Sequence, residues 1–109
     1  MSEEVAKTIL EQIKATDRWA LARWGVLPKK LFVVSDPAEH LGGLSMGTKQ
    51  NLRIEVTLNS SDTYRVLLFG MCERTHEPVL MAALDDVYCD DLVQWIDSIV
   101  DEALRKLRR

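Results

Sequence analysis

The chain has few of the residues that build catalytic and metal sites. Its 109 residues include two histidines, His40 and His76, and two cysteines. Both histidines fall in predicted loops with no nucleophile beside them, so the sequence predicts no catalytic triad. Cys72 and His76 have a spacing found in zinc sites, but a structural zinc ion needs four ligands and no second pair follows. We therefore expect no metal, no cofactor and no enzymatic activity.

Phosphate-binding loops and long apolar runs are also absent from the sequence. The glycines at positions 42, 43 and 47 do not follow the spacing of a nucleotide-binding turn. No apolar run approaches the roughly 18 residues that a membrane span needs, and the N-terminus lacks the pattern of a signal peptide. Cys72 and Cys89 show no CxxC spacing, which is typical of reduced thiols in an intracellular protein. These absences predict a cytoplasmic protein that binds no membrane.

The overall charge argues against nucleic acid as a partner. The formal net charge is -3, whereas proteins that bind nucleic acid normally present a basic face to the phosphate backbone. Lys29, Lys30 and the basic tail at residues 105–109 leave weak nucleic-acid binding as one alternative function.

The composition predicts one α+β domain over residues 1–109. Apolar residues make up 47% and charged residues 28% of the chain, values close to those of globular proteins, and this length supports one core. Apolar residues from Val5 to Trp24 recur every three or four positions, which predicts an N-terminal helix that begins at Ser2 and ends at Gly25. Asp17 can cap a second helix, so one helix or two fit the pattern.

Strand patterns follow the N-terminal helix and predict an antiparallel meander of about four to five strands. The clearest is the alternation of apolar and polar residues at 52–58, and the next strand at 63–70 has apolar residues on both faces. Further strand signals lie at residues 31–34, 44–46 and 79–84. Short polar turns between the later strands indicate hairpins.

A helical pattern from Val87 to Leu107 predicts that a C-terminal helix flanks the sheet. Asp85 and Asp86 are its candidate N-terminal caps, and the acidic start and basic end match the helix dipole. We expect one core between the sheet and both helices, formed by Ile54, Val56, Val66, Leu68, Ile96 and Ile99.

Three segments of the chain carry patterns that recur together in other proteins. They are TDRWALARWG at 16–25, VTLNSSDTYRVLLFG at 56–70 and DDVYCDDLVQWIDSIV at 85–100. In this order they resemble a group of small, uncharacterised proteins encoded by phages and mobile elements, which share RWALxxWG, LxxxDxYxVxF and DVYxDxLVxxID segments. The resemblance implies a shared fold but no function. It departs at residues 29–51 and 71–81, so it implies nothing about specificity carried by loops.

Exposed aromatic, apolar and acidic residues are the candidates for a protein-binding surface. Tryptophan anchors many interfaces because it buries a large area at small entropic cost, and an acidic patch can engage a basic partner surface. Trp24 lies on the apolar stripe and is expected in the core. The candidate binding residues are Trp19, Leu67, Phe69, Asp85, Asp86, Asp90, Asp91 and Trp95.

The sequence therefore favours a non-catalytic protein-binding module that occupies the surface of a host or phage protein. The resemblance favours a more specific form of this hypothesis, in which the chain inhibits a host or defence protein. Leu67 and Phe69 fall on the sheet face opposite the predicted core, and we expect a second copy, the segment 37–46 or the partner to cover them, with a homodimer favoured. The alternative from a different class of function is a small metal-dependent enzyme that uses Asp62, Asp85 and Asp86.

Overall fold

One antiparallel sheet of five strands organises the structure, a computed structural model that describes residues 2–34, 40–59, 61–71 and 77–107. The strands lie in the sheet in chain order, so the first and the last form its edges. Their bounds are Val26–Val34 (β1), His40–Thr48 (β2), Leu52–Asn59 (β3), Tyr64–Met71 (β4) and Pro78–Val87 (β5). The predicted α+β class and meander are confirmed, although β1 begins well before the predicted residue 31.

The N-terminal helical segment is divided into two helices. Helix α1 spans Ser2–Thr16 and helix α2 spans Ala20–Trp24. Between them, the Asp17 carboxylate accepts a hydrogen bond from the backbone N–H of Trp19 at 2.9 Å, which forms a local turn before α2, whose N-cap position is Trp19. Gly25 ends α2 at a φ of 73°, a conformation that glycine adopts without a steric penalty. The structure therefore decides for two helices.

The helices cover one face of the sheet. A short 3₁₀ turn at Cys89–Asp91 leads into helix α3, Leu92–Leu107. Buried side chains of α1, α2 and α3 form one apolar cluster with alternate residues of β2, β3 and β4. The six residues expected in the core all belong to this cluster, which confirms that prediction: Ile54, Val56, Val66, Leu68, Ile96 and Ile99.

The predicted helix caps Asp85 and Asp86 belong to β5 instead. The strand continues through both residues and gains an extra residue relative to β4 near Asp86, whose φ is 55°. Asp85 accepts a hydrogen bond from Arg65 Nε on β4 at 2.8 Å. Neither carboxylate lies at the start of α3, so the capping prediction is wrong. The strand pairing extends β5 beyond the point where the sequence pattern ends.

We expect Ile96→Ala to lower the free energy of unfolding by about 2 to 5 kcal/mol, because it deletes fully buried aliphatic atoms. Ser98→Ala on the exposed side of the same helix is the matched control and should change stability by less than about 0.5 kcal/mol. Urea unfolding followed by circular dichroism measures both. Equal midpoints for Ile96→Ala and the native chain would contradict the layered core.

A second prediction concerns the left-handed backbone at Asp86. Asp86→Gly should stabilise the protein by about 1 kcal/mol, because glycine carries no Cβ penalty at positive φ. Asp86→Ala should destabilise it, since alanine keeps the Cβ and adopts the left-handed conformation less readily than aspartate does. Thermal unfolding of both variants gives the order. A helix-capping role would instead require both substitutions to destabilise, glycine by a few tenths of a kcal/mol.

Candidate protein-binding face of the sheet

The face of the sheet that points away from the helices carries apolar and charged side chains together. We call it the open face. The strand registers place one row across all five strands and a second row beside it. The first row is Phe32, Ser45, Glu55, Leu67 and Ala83, and the second contains Gly47, Arg53, Phe69 and Leu80, with Lys30 beside Gly47.

Leu67 and Phe69 lie on this open face, where alternation along β4 places them. Both are half-buried by their neighbours in the sheet, whereas Phe32 is 56% and Leu80 is 55% exposed. In the described part of the chain, the helices pack on the opposite face and leave this one uncovered. The described part of the predicted covering segment, from His40 to Met46, belongs to β2, and residues 37–39 lie outside the described residues.

A cleft of about 150 Å³ opens on this face between two phenylalanine rings. Phe32 and Phe69 line it together with Lys30, Arg53 and Gly47. A Cβ at position 47 would come within 2.8 Å of the Lys30 Cβ atom, so glycine is what permits β1 and β2 to approach here. Among the described residues, no carboxylate lines the cleft, and the other described lining residues are Thr48, Asn51, Leu52, Gly70 and Pro78.

Some charged side chains of the open face form ion pairs and others do not. Arg65 and Asp85 form an ion pair at 2.8 Å across β4 and β5. Lys30 and Arg53 form no ion pair with any other described residue. The cleft is therefore a locally cationic and aromatic site on a chain whose net charge is negative.

The remaining candidate binding residues lie elsewhere and do not form one site with the open face. Trp19 is 62% exposed between α1 and α2, with the Arg18 guanidinium 4.9 Å from its ring centroid. Trp95 is 46% exposed on α3. Asp90 and Asp91 are exposed in the turn that precedes α3, where carboxylates interact favourably with the helix dipole. The acidic run that looks like one patch in the sequence is thus divided between the sheet and the helix start.

Asp97 joins α2 to α3 through hydrogen bonds from two residues of α2. Its carboxylate accepts hydrogen bonds from Arg23 Nη2 at 2.8 Å and from Trp24 Nε1 at 2.6 Å, and Arg23 Nη1 also lies 2.9 Å from Asp17. Trp24 is buried, as expected from its place on the apolar stripe. Hydrogen bonding to Asp97 raises the pKa of Arg23, so the guanidinium stays charged. The neighbouring groove, lined by Asp97 and Asp101, holds carboxylates that are already paired with arginines.

Asp17 also carries a shifted pKa in this network. The backbone N–H of Trp19, and then the Arg23 side chain, lower it from its usual value. A lowered folded-state pKa contributes stability above the unfolded pKa, and this contribution is lost as the pH falls through the folded pKa. The network is therefore expected to weaken in acid.

The described residues contain no group of three histidine, cysteine, aspartate or glutamate side chains that could hold a metal ion. The magnesium alternative at Asp62, Asp85 and Asp86 therefore has no ligand set there. Cys72 and His76 lie outside the described residues. None of the described helices is both long and apolar enough for a transmembrane span.

The basic tail is partly neutralised within α3. Arg105 pairs with Asp101, and Lys106 Nζ lies 3.5 Å from Glu102 Oε1, each one turn away on the helix. These described members of the tail therefore have intrahelical partners, which is a structural explanation for them that requires no nucleic acid.

Comparison of the chain with protein-family models, curated proteins and solved structures finds no match. The resemblance to phage and mobile-element proteins thus stays a prediction. Two of its three segments meet at Trp24 and Asp97, so packing explains these two residues.

The cleft residues Phe32 and Arg53 were not among the candidate binding residues, and Lys30 was considered only for the nucleic-acid alternative. Alternation along β3 does place Arg53 opposite the core, but β1 and β2 are joined through a segment with no readable pattern. Their register, which brings Lys30 and Phe32 beside β3 and β4, is decided by pairing across the sheet.

We expect Asp97→Ala to lower the free energy of unfolding by about 1 to 3 kcal/mol, because it leaves the buried indole N–H of Trp24 without its acceptor. Asp101→Ala is the matched control, since it removes an arginine pair one turn further along the same helix but strands no buried donor. It should cost less than about 1 kcal/mol. Chemical unfolding compares the two, and equal losses would contradict the special role of Asp97.

Proposed function

We propose that this protein is a non-catalytic binding protein and that the open face is its recognition surface. The observation that carries the proposal is the uncovered set of apolar side chains on that face: Phe32, Leu67, Phe69, Leu80 and Ala83. Proteins rarely leave large contiguous apolar patches bare unless they bind something there.

The size of the open face suits a small protein interface. Five strands spaced about 4.8 Å apart give a width of about 24 Å, and eight residues per strand give a length of about 26 Å. The resulting area of about 600 Å² is somewhat below the roughly 800 Å² per partner of a standard interface. An interface of this size is typical of transient complexes.

The charges of the face favour a separate partner over a second copy of the chain. Among the described residues, three cations and two carboxylates lie on it, so two copies placed face to face would bring like net charges of these residues together, which is unfavourable in a buried interface. The five residues are Lys30, Arg53, Arg65, Glu55 and Asp85. A partner with carboxylates opposite Lys30 and Arg53 would complement them. A second copy of the chain, as in the homodimer expected from the sequence, is thus the competing occupant of the open face.

The resemblance to phage and mobile-element proteins supports a sharper version of this proposal. In that version the partner is a host or defence protein, which the chain inhibits by occupying its surface. This identity rests on the three sequence segments alone, whereas the choice of the open face rests on the geometry of the sheet.

The test compares an aromatic residue of the open face with an exposed aromatic residue on the helix side of the protein. We expect Phe69→Ser to abolish capture of a partner from host extract, because it removes the central ring of the open face. Trp95→Ser, on the helix side, is the matched control and should retain the partner. Affinity capture with quantitative mass spectrometry measures both, and melting curves must show that both variants are folded.

Light scattering of the native chain separates the two possible occupants. We expect a monomer at high concentration. A dimer that Phe69→Ser dissociates would assign the open face to a second copy and contradict the separate partner. Loss of capture in Trp95→Ser with full capture in Phe69→Ser would move the binding surface to the helices.

A further inference from the structure

The cleft on the open face combines features that select a particular kind of ligand. Two phenylalanine rings supply apolar walls, and two cations lie at the same site, with no carboxylate among the described lining residues. These four residues are Phe32, Phe69, Lys30 and Arg53. Arginine binds carboxylates through paired, charge-assisted hydrogen bonds, and lysine adds a point charge. A group that is apolar at one end and anionic at the other satisfies both halves of the cleft.

The size of the cleft limits what enters it. Its volume of about 150 Å³ is well below the roughly 300 to 1,000 Å³ of pockets that bury drug-sized ligands. A single amino-acid side chain with a neighbouring carboxylate matches this volume, whereas a whole nucleotide cofactor does not. The position of the cleft within the larger open face also suits one anchor residue of a longer segment.

We infer that this cleft binds an acidic peptide segment of the partner, with an apolar side chain against Phe32 and Phe69 and a carboxylate on Lys30 or Arg53. This inference rests on the proposed function and specifies the chemistry of the partner. The charge complementarity is local, because the chain as a whole has a net charge of -3 and would not attract an acidic protein without these cations.

A single-stranded nucleic acid also offers anionic groups and stackable rings, but the rest of the surface disfavours it. Binding along a nucleic-acid backbone requires a basic track. Beyond Lys30 and Arg53 the open face continues into Glu55 and into the Arg65–Asp85 pair. Two unpaired cations at one cleft match the single carboxylates of a short peptide better than they match the continuous row of charges on a phosphate backbone.

The test uses the peptide acetyl-Glu-Glu-Phe-Glu-Glu-amide as a probe for the full chain. In an NMR titration of ¹⁵N-labelled protein, we expect saturable shifts at the amides of Gly47 and Gly70, with a dissociation constant in the millimolar range or tighter. Arg53→Gln and Lys30→Gln should each weaken binding by about 2- to 5-fold, the range for an exposed charge pair. The isosteric peptide acetyl-Gln-Gln-Phe-Gln-Gln-amide should cause no saturable shift.

Lys29→Gln is the matched control variant. It removes the same charge from the neighbouring position in β1, which is exposed and does not line the cleft. We expect its affinity for the acidic peptide to equal that of the native chain. An equal loss in Lys29→Gln and Lys30→Gln would show nonspecific charge attraction and overturn the inference.

Two further outcomes would overturn the inference. One is the absence of shifts at Gly47 and Gly70 at 5 mM peptide, on the order of five times the expected dissociation constant. The other is tighter binding of the oligonucleotide dT4 to the same amides. The proposed function has its own test: partner capture that depends on Phe69 but survives the double variant Lys30→Gln, Arg53→Gln would retain the binding face and reject the acidic segment.

Discussion

The contact of Asp97 with Arg23 and Trp24 holds together the layer of helices on which the sheet depends. The indole of Trp24 lies in the core, and its N–H needs an acceptor because an unpaired buried donor is costly. Asp97 provides that acceptor from α3, and Arg23 holds the carboxylate in place with hydrogen bonds from Nε and Nη2. The last turn of α2 is thereby fixed against α3. Since α3 also packs on β4 and β5, this network joins the short helix before the sheet to the helix that follows the sheet.

The position of the helices on one face leaves the other face of the sheet to the solvent. Antiparallel sheets tolerate this arrangement because alternate residues can be apolar on one face and polar on the other. Here the second face does not become fully polar: Phe32, Leu67, Phe69 and Leu80 interrupt its charged residues. The cleft lies where Gly47 permits β1 and β2 to approach closely, beside Lys30, Arg53 and the two phenylalanines. The packing of the helices on one face of the sheet therefore builds the core and also leaves exposed the face to which we assign recognition.

Several features that look functional in the sequence have structural explanations. Trp24 and Asp97 belong to two conspicuous segments, and they contact each other inside the helix layer. Asp85 pairs with Arg65 on the sheet, and Asp86 occupies a left-handed position where β5 bulges. Asp90 and Asp91 lie at the helix start. The acidic residues of this segment thus have separate local roles, and the cationic cleft on the open face is the more distinctive chemical feature.

The sequence by itself determined which residues are buried within each element. Alternation along β3 and β4 and the helical period of α3 depend on neighbours a few positions away, so Ile54, Val66 and Ile96 were correctly predicted in the core. Tertiary structure alone decided the start of α3, because pairing with β4 extends β5 through Asp85 and Asp86. It also decided the contact between Trp24 and Asp97 and the cleft between Lys30, Phe32, Arg53 and Phe69. These features join residues distant in the chain, and their position follows from strand register and helix packing, which no local pattern encodes.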